Sequence, residues 1–295
     1  MREIPAVNLT PQPPSRVSGR GSSSPCDQGG NGGEVLSRRN LLNSAILLAA
    51  SLLGALSLLY PFFVPLGQGE GASSMAHAAD APVIFVALVV LCLGAVAANM
   101  SGRQMSSKVI AVLGVLTAMN AVLRAIPGPG GFSAVFFLPI LCGYVYGATF
   151  GFLLGSLSLM VSALIGAGIG PWLPYQMLCA GWVGMISGWL PHPHSKRLEL
   201  ALLVSWGVLS GLIFGAIMNL WFWPFIQVPG GDNAYWQPGL GLLQGLRRYA
   251  LFYVLTSLWW DAMRSIGNAI LLLLFAAPLI GTLRRFQRRF QFTLA

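Results

Sequence analysis

The sequence predicts an all-α polytopic membrane protein, a six-helix core preceded by an additional transmembrane helix pair, and three observations carry the prediction. Of 295 residues, 55% are hydrophobic and only 8% are charged, and uncharged runs of about twenty residues, enough to cross a bilayer as helix, recur from residue 41 onward. Segments such as 82–98, PVIFVALVVLCLGAVAA, and 271–280, LLLLFAAPLI, are apolar on every face, where a membrane strand would alternate. The basic residues behind the net charge of +9 gather just beyond the apolar runs, at Arg38, Arg39, Arg103, Lys108, Lys196, Arg197, Arg284, Arg285, Arg288 and Arg289. Cytoplasmic loops attract such clusters, so the charge reports orientation in the cytoplasmic membrane and not nucleic-acid binding.

Residues 1–38, with the run GRGSSSPCDQGGNGG, have no periodic apolar face and read as a disordered cytoplasmic tail. The next stretch, SRRNLLNSAILLAASLLGALSLLYPFF followed by AHAADAP, looks like a twin-arginine export signal with an AHA cleavage site. Its apolar core of roughly two dozen residues is longer than a signal core, so an uncleaved helix over 41–64 is the preferred reading. A second helix over 82–100 returns the chain, and together they make up a pair within 39–104.

The core, 105–295, divides into predicted helices at 107–126, 132–146, 149–165, 174–190, 198–222 and 249–283, the last too long for one straight span. With both termini cytoplasmic, loops 127–131, 166–173 and 223–248 fall outside, and loop 191–197 and the RRFQRR end fall inside. Arg247 and Arg248 break the charge rule and suggest an interfacial segment before the last helix.

Several chemistries are excluded. The chain has no GxxxxGK and its only lysines are Lys108 and Lys196, so any ATP-driven work needs a partner. His77, His192 and His194 lie in predicted loops, which argues against an intramembrane Ser–His pair at Ser156 or Ser158. Neither HExxH nor a cluster of acids and imidazoles offers a metal site, and no resident cofactor is expected. Cys26, Cys92, Cys142 and Cys179 are widely spaced and read as small packing residues.

What remains is a set of polar groups in apolar helices: Asn120, Arg124, Gln176, Asn219, Asp261, Arg264 and Asn268. A charge at membrane depth costs several kcal/mol unless paired or wet, which marks such residues as functional. In SLWWDAMRSIGN, Asp261 and Arg264 are three apart and Asn268 follows four later, all on one face. They either pin the last helix to its neighbours or meet a ligand. Most of these groups fall towards outer helix ends, level with Trp221, Trp223, Trp236, Trp259 and Trp260, and the tryptophans form either a pocket frame or an interfacial belt. In GAGIGPWLPYQMLCAGW, Gly166, Gly168, Gly170, Pro171 and Pro174 make a restrained corner that presents Trp172, Tyr175 and Gln176. On KVIAVLGVLTAMNAVLRA, the small residues Ala111, Gly114, Ala118, Ala121 and Ala125 share one side, for packing within the chain or for a separate subunit.

The run GFSAVFFLPILCGYVYGATFGFLLGSLSLMVSALIGAGIGPWLPYQMLCAGWVGMISGWLP, with TSLWWDAMRSIGN and the arginine-rich end, resembles the substrate-binding S component of energy-coupling factor transporters over about 105–290. The resemblance implies six helices around a vitamin near the outer face. It also implies a transmembrane T subunit met through Gly114, Ala118, Ala121 and Ala125, and two ATP-binding cassette ATPases on other chains that drive uptake as the S component topples. Arg124, Trp172, Tyr175, Gln176, Asn219, Trp260, Asp261, Arg264 and Asn268 are then the expected vitamin contacts, with a cobalamin-type corrinoid favoured over riboflavin or a thiamine precursor. The competing reading is a membrane enzyme acting on a lipid or isoprenoid with Asp261 as acid or base, although no second carboxylate or histidine lies in a span. A structural protein whose tail recruits a soluble partner is the third.

Overall fold

The computed structural model describes residues 30–63, 77–101, 107–226, 233–237 and 239–291. Among these lie nine α-helices: α1 (Gly30–Leu59), α2 (Ala81–Ser101), α3 (Ser107–Ala125), α4 (Phe137–Tyr146), α5 (Ala148–Ser162), α6 (Leu173–Ser187), α7 (Lys196–Phe222), α8 (Leu242–Thr256) and α9 (Leu258–Gln291). No strand occurs among the described residues. Five stretches, Ser44–Phe62, Ser107–Ala125, Ala148–Ala167, Lys196–Phe225 and Leu258–Arg289, are long and apolar enough to cross a membrane, and α2 and α4 are shorter apolar helices. The chain is a multi-pass membrane protein. Of the expected tail, residues 1–29 and Cys26 lie outside the described residues, and α1 already begins at Gly30.

The predicted last helix is divided. α8 ends at Thr256, the next residue Ser257 has a φ of −125° that leaves the helical range, and α9 starts at Leu258. Arg247 and Arg248 lie on α8, as the separate segment required, and Arg248 donates to the Tyr235 carbonyl at 3.2 Å. The predicted helix from 132 starts instead at Phe137. Phe132 is extended and its ring fills the space beside Gly267 of α9, so the loop after α3 lies across the start of α9.

Helix association in lipid gains little from apolar burial, because acyl chains are as apolar as leucine; close backbone approach and interhelical hydrogen bonds replace it. The tightest approach joins α5 to α6. A Cβ on Gly184 would overlap the Gly151 carbonyl, and one on Gly155 would overlap that of Ala180. Ser156 Oγ adds a hydrogen bond to the Met177 carbonyl at 3.0 Å. A second seam joins α7 to α9 through Gly207, Gly211 and Gly215, one per turn, which face Leu272, Ser265 and Asp261. Along it Ser265 Oγ donates to the Val208 carbonyl at 2.8 Å and Asn268 Nδ2 to that of Gly207 at 3.0 Å.

At the arginine-rich end, Glu199 in the first turn of α7 is 8% exposed, pairs with Arg284 of α9, and accepts from the Tyr144 hydroxyl of α4 at 3.0 Å. Gln287 Nε2 donates to the Val145 carbonyl at 2.8 Å, and His192 stacks on Tyr144 with centroids 4.2 Å apart. These contacts tie α4, α7 and α9 together there. Cys92, Cys142 and Cys179 are buried free thiols in the core.

The helix pair α1–α2 packs on α5 and α6. Leu178 of α6 fills the space beside Gly54, and Trp182 Nε1 donates to Ser51 Oγ at 2.9 Å.

Candidate functional site

Opposite the arginine-rich end, the start of α6, the end of α7 and the start of α9 form the walls of an open cavity of about 350 Å³. α6 contributes Trp172 and Gln176; α7 contributes Phe214, Gly215, Met218, Asn219, Trp221 and Phe222; and the α8–α9 junction contributes Ser257, Trp260, Asp261 and Arg264. Five aromatic and five polar or charged side chains share the lining, so an apolar frame and convergent polar groups, both features of small-molecule sites, occur together.

Asp261 is 2% exposed. Its Oδ1 accepts from Arg264 Nη1 one turn on, and the Tyr253 hydroxyl of α8 approaches the same carboxylate. The approach is possible because residue 215 is glycine: a Cβ there would overlap the carboxylate. The Arg264 guanidinium also lies over the Phe214 ring, 5.1 Å from its centroid, so the cation meets both a charge and a π face.

The corner before α6 holds its side chains as the glycine and proline pattern requires. Gly166 and Gly168 have φ of 141° and 87°, conformations that other residues rarely adopt, and Pro174 sits in the first turn of α6. The Trp172 ring occupies the space where Gly170 would carry a Cβ. From α3, Arg124 reaches over to this corner, donating to Ser162 Oγ at 2.6 Å and to Gln176 Oε1 at 2.8 Å. Arg124 therefore fixes the amide at the cavity wall without lining it.

Six of the expected contacts, Trp172, Gln176, Asn219, Trp260, Asp261 and Arg264, come together around one space. Three do not line it. Arg124 acts through Gln176, Asn268 is 1% exposed and bonded to α7, and Tyr175 is fully buried on the far side of α6, where its hydroxyl donates to Asp80 Oδ2 at 2.9 Å. Of the five tryptophans, Trp221 and Trp260 line the cavity, whereas Trp223 is 3% exposed and donates to the Ala234 carbonyl, and Trp259 is 64% exposed. Phe214, Gly215, Met218, Phe222 and Ser257 were not anticipated. Helical spacing to either side of Asn219 and the GxxxGxxxG of α7 were the signals available for them.

On α3 the small-residue stripe is split. Ala111, Gly114, Ala118 and Ala125 are exposed, and a Cβ on Gly114 would meet nothing within 4 Å. Ala121 is fully buried with Leu113, Thr117 and Asn120, on the face where Asn120 Nδ2 holds the Val135 carbonyl at 2.9 Å. It belongs to the chain's own packing, which corrects its assignment to an open groove.

Among the described residues no group of three or more His, Cys, Asp or Glu is placed to hold a metal ion. A separate polar cluster joins the helix pair to the core, where His77 Nδ1 lies 2.8 Å from Asp80 Oδ2 and 2.9 Å from the Tyr175 hydroxyl. Burial pushes the Asp80 carboxyl up, but its hydrogen bonds with His77 and Tyr175 outweigh this and hold it below the ordinary carboxylate value.

No curated protein and no solved structure matches the chain. A family model described as the substrate-specific component of ECF transporters matches residues 108–281, which runs from α3 into α9 and takes in every residue that lines the cavity. The chain belongs to the family of ECF transporter substrate-specific components.

Proposed function

We propose that this chain captures a vitamin or related micronutrient at the outer face of the cytoplasmic membrane, in the cavity between α6, α7 and α9, and hands it to an ATP-driven importer. The observation that carries the reading is the convergence of the buried Asp261–Arg264 pair, Gln176 and Asn219 with five aromatic rings around one cavity. Family membership supports the assignment to uptake. The basic residues at the opposite end support a cavity that opens outward, with both termini cytoplasmic.

The size of the cavity, about 350 Å³, lies near the lower end for small-molecule sites. It favours a compact ring system that donates hydrogen bonds, a thiamine precursor or the ring end of riboflavin, over a corrinoid, whose macrocycle would stand largely outside. Energy comes from two ATP-binding cassette ATPases through a transmembrane T subunit, which docks on the exposed stripe of Ala111, Gly114, Ala118 and Ala125. The chain performs no catalysis of its own. The test is thermal-shift analysis and isothermal calorimetry of the purified protein with thiamine, riboflavin and cobalamin, together with mass spectrometry of co-purified ligand. Submicromolar binding of one of them, lost in Asp261→Asn, is expected; no binding by any, with no co-purified ligand, overturns the reading.

A further inference from the structure

The turn leading into α2 reaches the core behind the cavity, and His77 is its point of contact. The residue is 2% exposed, and its ring lies against Tyr60 at the end of α1, Tyr175 on α6, Phe225 after α7 and Trp221 on α7. The first three contacts are tilted or edge-on, whereas the fourth is a near-parallel stack, 19° between planes with centroids 5.7 Å apart. Trp221 is also a wall of the cavity.

Two features make His77 more than a filler. Its φ of +56° is the only positive φ at a non-glycine among the described residues, a conformation that L-residues keep only when their surroundings impose it. Asp80 Oδ2 accepts from Nδ1, which fixes the plane of the ring, and the Tyr175 hydroxyl donates to the same oxygen. Trp221 has no such anchor. A buried indole N–H usually finds an acceptor, yet Trp221 Nε1 has no hydrogen-bond partner, so its orientation rests on ring packing alone. The ring that stacks on it most nearly parallel outside its own helix is the one Asp80 holds in place.

We propose that His77 is a positioning residue for Trp221, and that through it the appended helix pair shapes the ligand cavity and its choice of ligand. The cavity effect rests on the vitamin-binding reading; the positioning of Trp221 does not. His77 lies outside residues 108–281, so a part of the chain beyond the family match helps to set specificity.

The experiment uses the full-length protein labelled with 5-fluorotryptophan. The nine tryptophans give nine fluorine signals, of which Trp221 and Trp182 are assigned by Trp221→Phe and Trp182→Phe. Trp182, bonded to Ser51 of α1, reports whether the pair stays docked. His77→Asn keeps a residue that tolerates positive φ and removes the ring; His77→Phe keeps a ring face without the Asp80 bond. In ligand-free protein, His77→Asn is expected to move the Trp221 signal and leave Trp182 in place, with His77→Phe returning Trp221 part of the way. An unmoved Trp221 signal overturns the proposal. So does a joint shift of Trp221 and Trp182 in both variants, which makes His77 a docking residue only. Whichever of thiamine, riboflavin and cobalamin binds the wild type should bind His77→Asn at least tenfold more weakly, and unchanged affinity overturns the link to specificity. If none binds the wild type, the vitamin reading fails, and the Trp221 signal alone decides the positioning role.

Discussion

The Asp261 carboxylate lies against the α-carbon of Gly215, in the space that any other residue at 215 would fill with its Cβ. Gly215→Ala must therefore displace the carboxylate or part α7 from α9, and overpacking of this kind costs about 1–3 kcal/mol. Calorimetry should give at least a tenfold loss of ligand affinity with a lowered Tm. A variant that binds as the wild type does would show that the position of Asp261 is immaterial to the ligand.

Asp261→Asn separates charge from shape. The amide keeps the volume but leaves Arg264 facing Phe214 without its anion, and a lone arginine at membrane depth costs about 2.5–3.5 kcal/mol. Both stability and binding should fall. The double variant Asp261→Asn, Arg264→Gln should recover Tm but not affinity if the pair meets ligand. Recovery of both would reduce the pair to a helix pin.

Arg124 serves Ser162 and Gln176 with two nitrogens of one planar guanidinium. Lysine has one ammonium and cannot reproduce that fork. Arg124→Lys is expected to weaken ligand binding several-fold with a stability loss of about 1–3 kcal/mol, the usual cost of a lost charged hydrogen bond. Equal affinity for Arg124→Lys and wild type in a binding titration would dissociate Arg124 from the cavity.

The exposed and buried members of the α3 stripe predict opposite failures. Ala118→Trp should fold, bind ligand normally and fail to assemble with the T subunit in a pull-down. Ala121→Trp, at a fully buried position, should lose yield and thermal stability in detergent before assembly is reached. Normal assembly by Ala118→Trp would move the partner surface elsewhere.

Gly184 tests the packing of α5 on α6. A methyl group there meets the Gly151 carbonyl, an atom that cannot rotate away, so Gly184→Ala should lower Tm by the equivalent of about 1–3 kcal/mol. The same substitution at Gly114, which has open space, should leave Tm unchanged.

How much of this could be read from the sequence depends on the period of the signal. Span-length apolar runs and basic ends marked the helices, and Arg247, Arg248 and a run too long for one span implied an interfacial segment and a bent last helix, but not that the break falls at Ser257. The corner at 166–176 was legible because Gly166, Gly168 and Pro174 constrain φ whatever surrounds them. The side of a helix on which a polar residue sits was not legible where neighbours decide it. Tyr175 and Gln176 are adjacent in sequence, yet one meets His77 and Asp80 and the other the cavity. Asn268 shares a face with Asp261, but Gly207 offers it a carbonyl first. The glycines of α7 were in plain view at four-residue spacing; their partners on α9 were the missing half.

The tie between Glu199, Tyr144 and Arg284 bears on delivery. Opening a route through that end would break the Glu199–Arg284 pair and the Tyr144 hydrogen bond together, so under the proposed function cargo leaves by the mouth it entered. Under that same reading a whole helical body has to move through the bilayer to release it, and the membrane property that would bear on its pace is viscosity: uptake should slow in stiffer, more saturated lipid while ligand affinity stays constant.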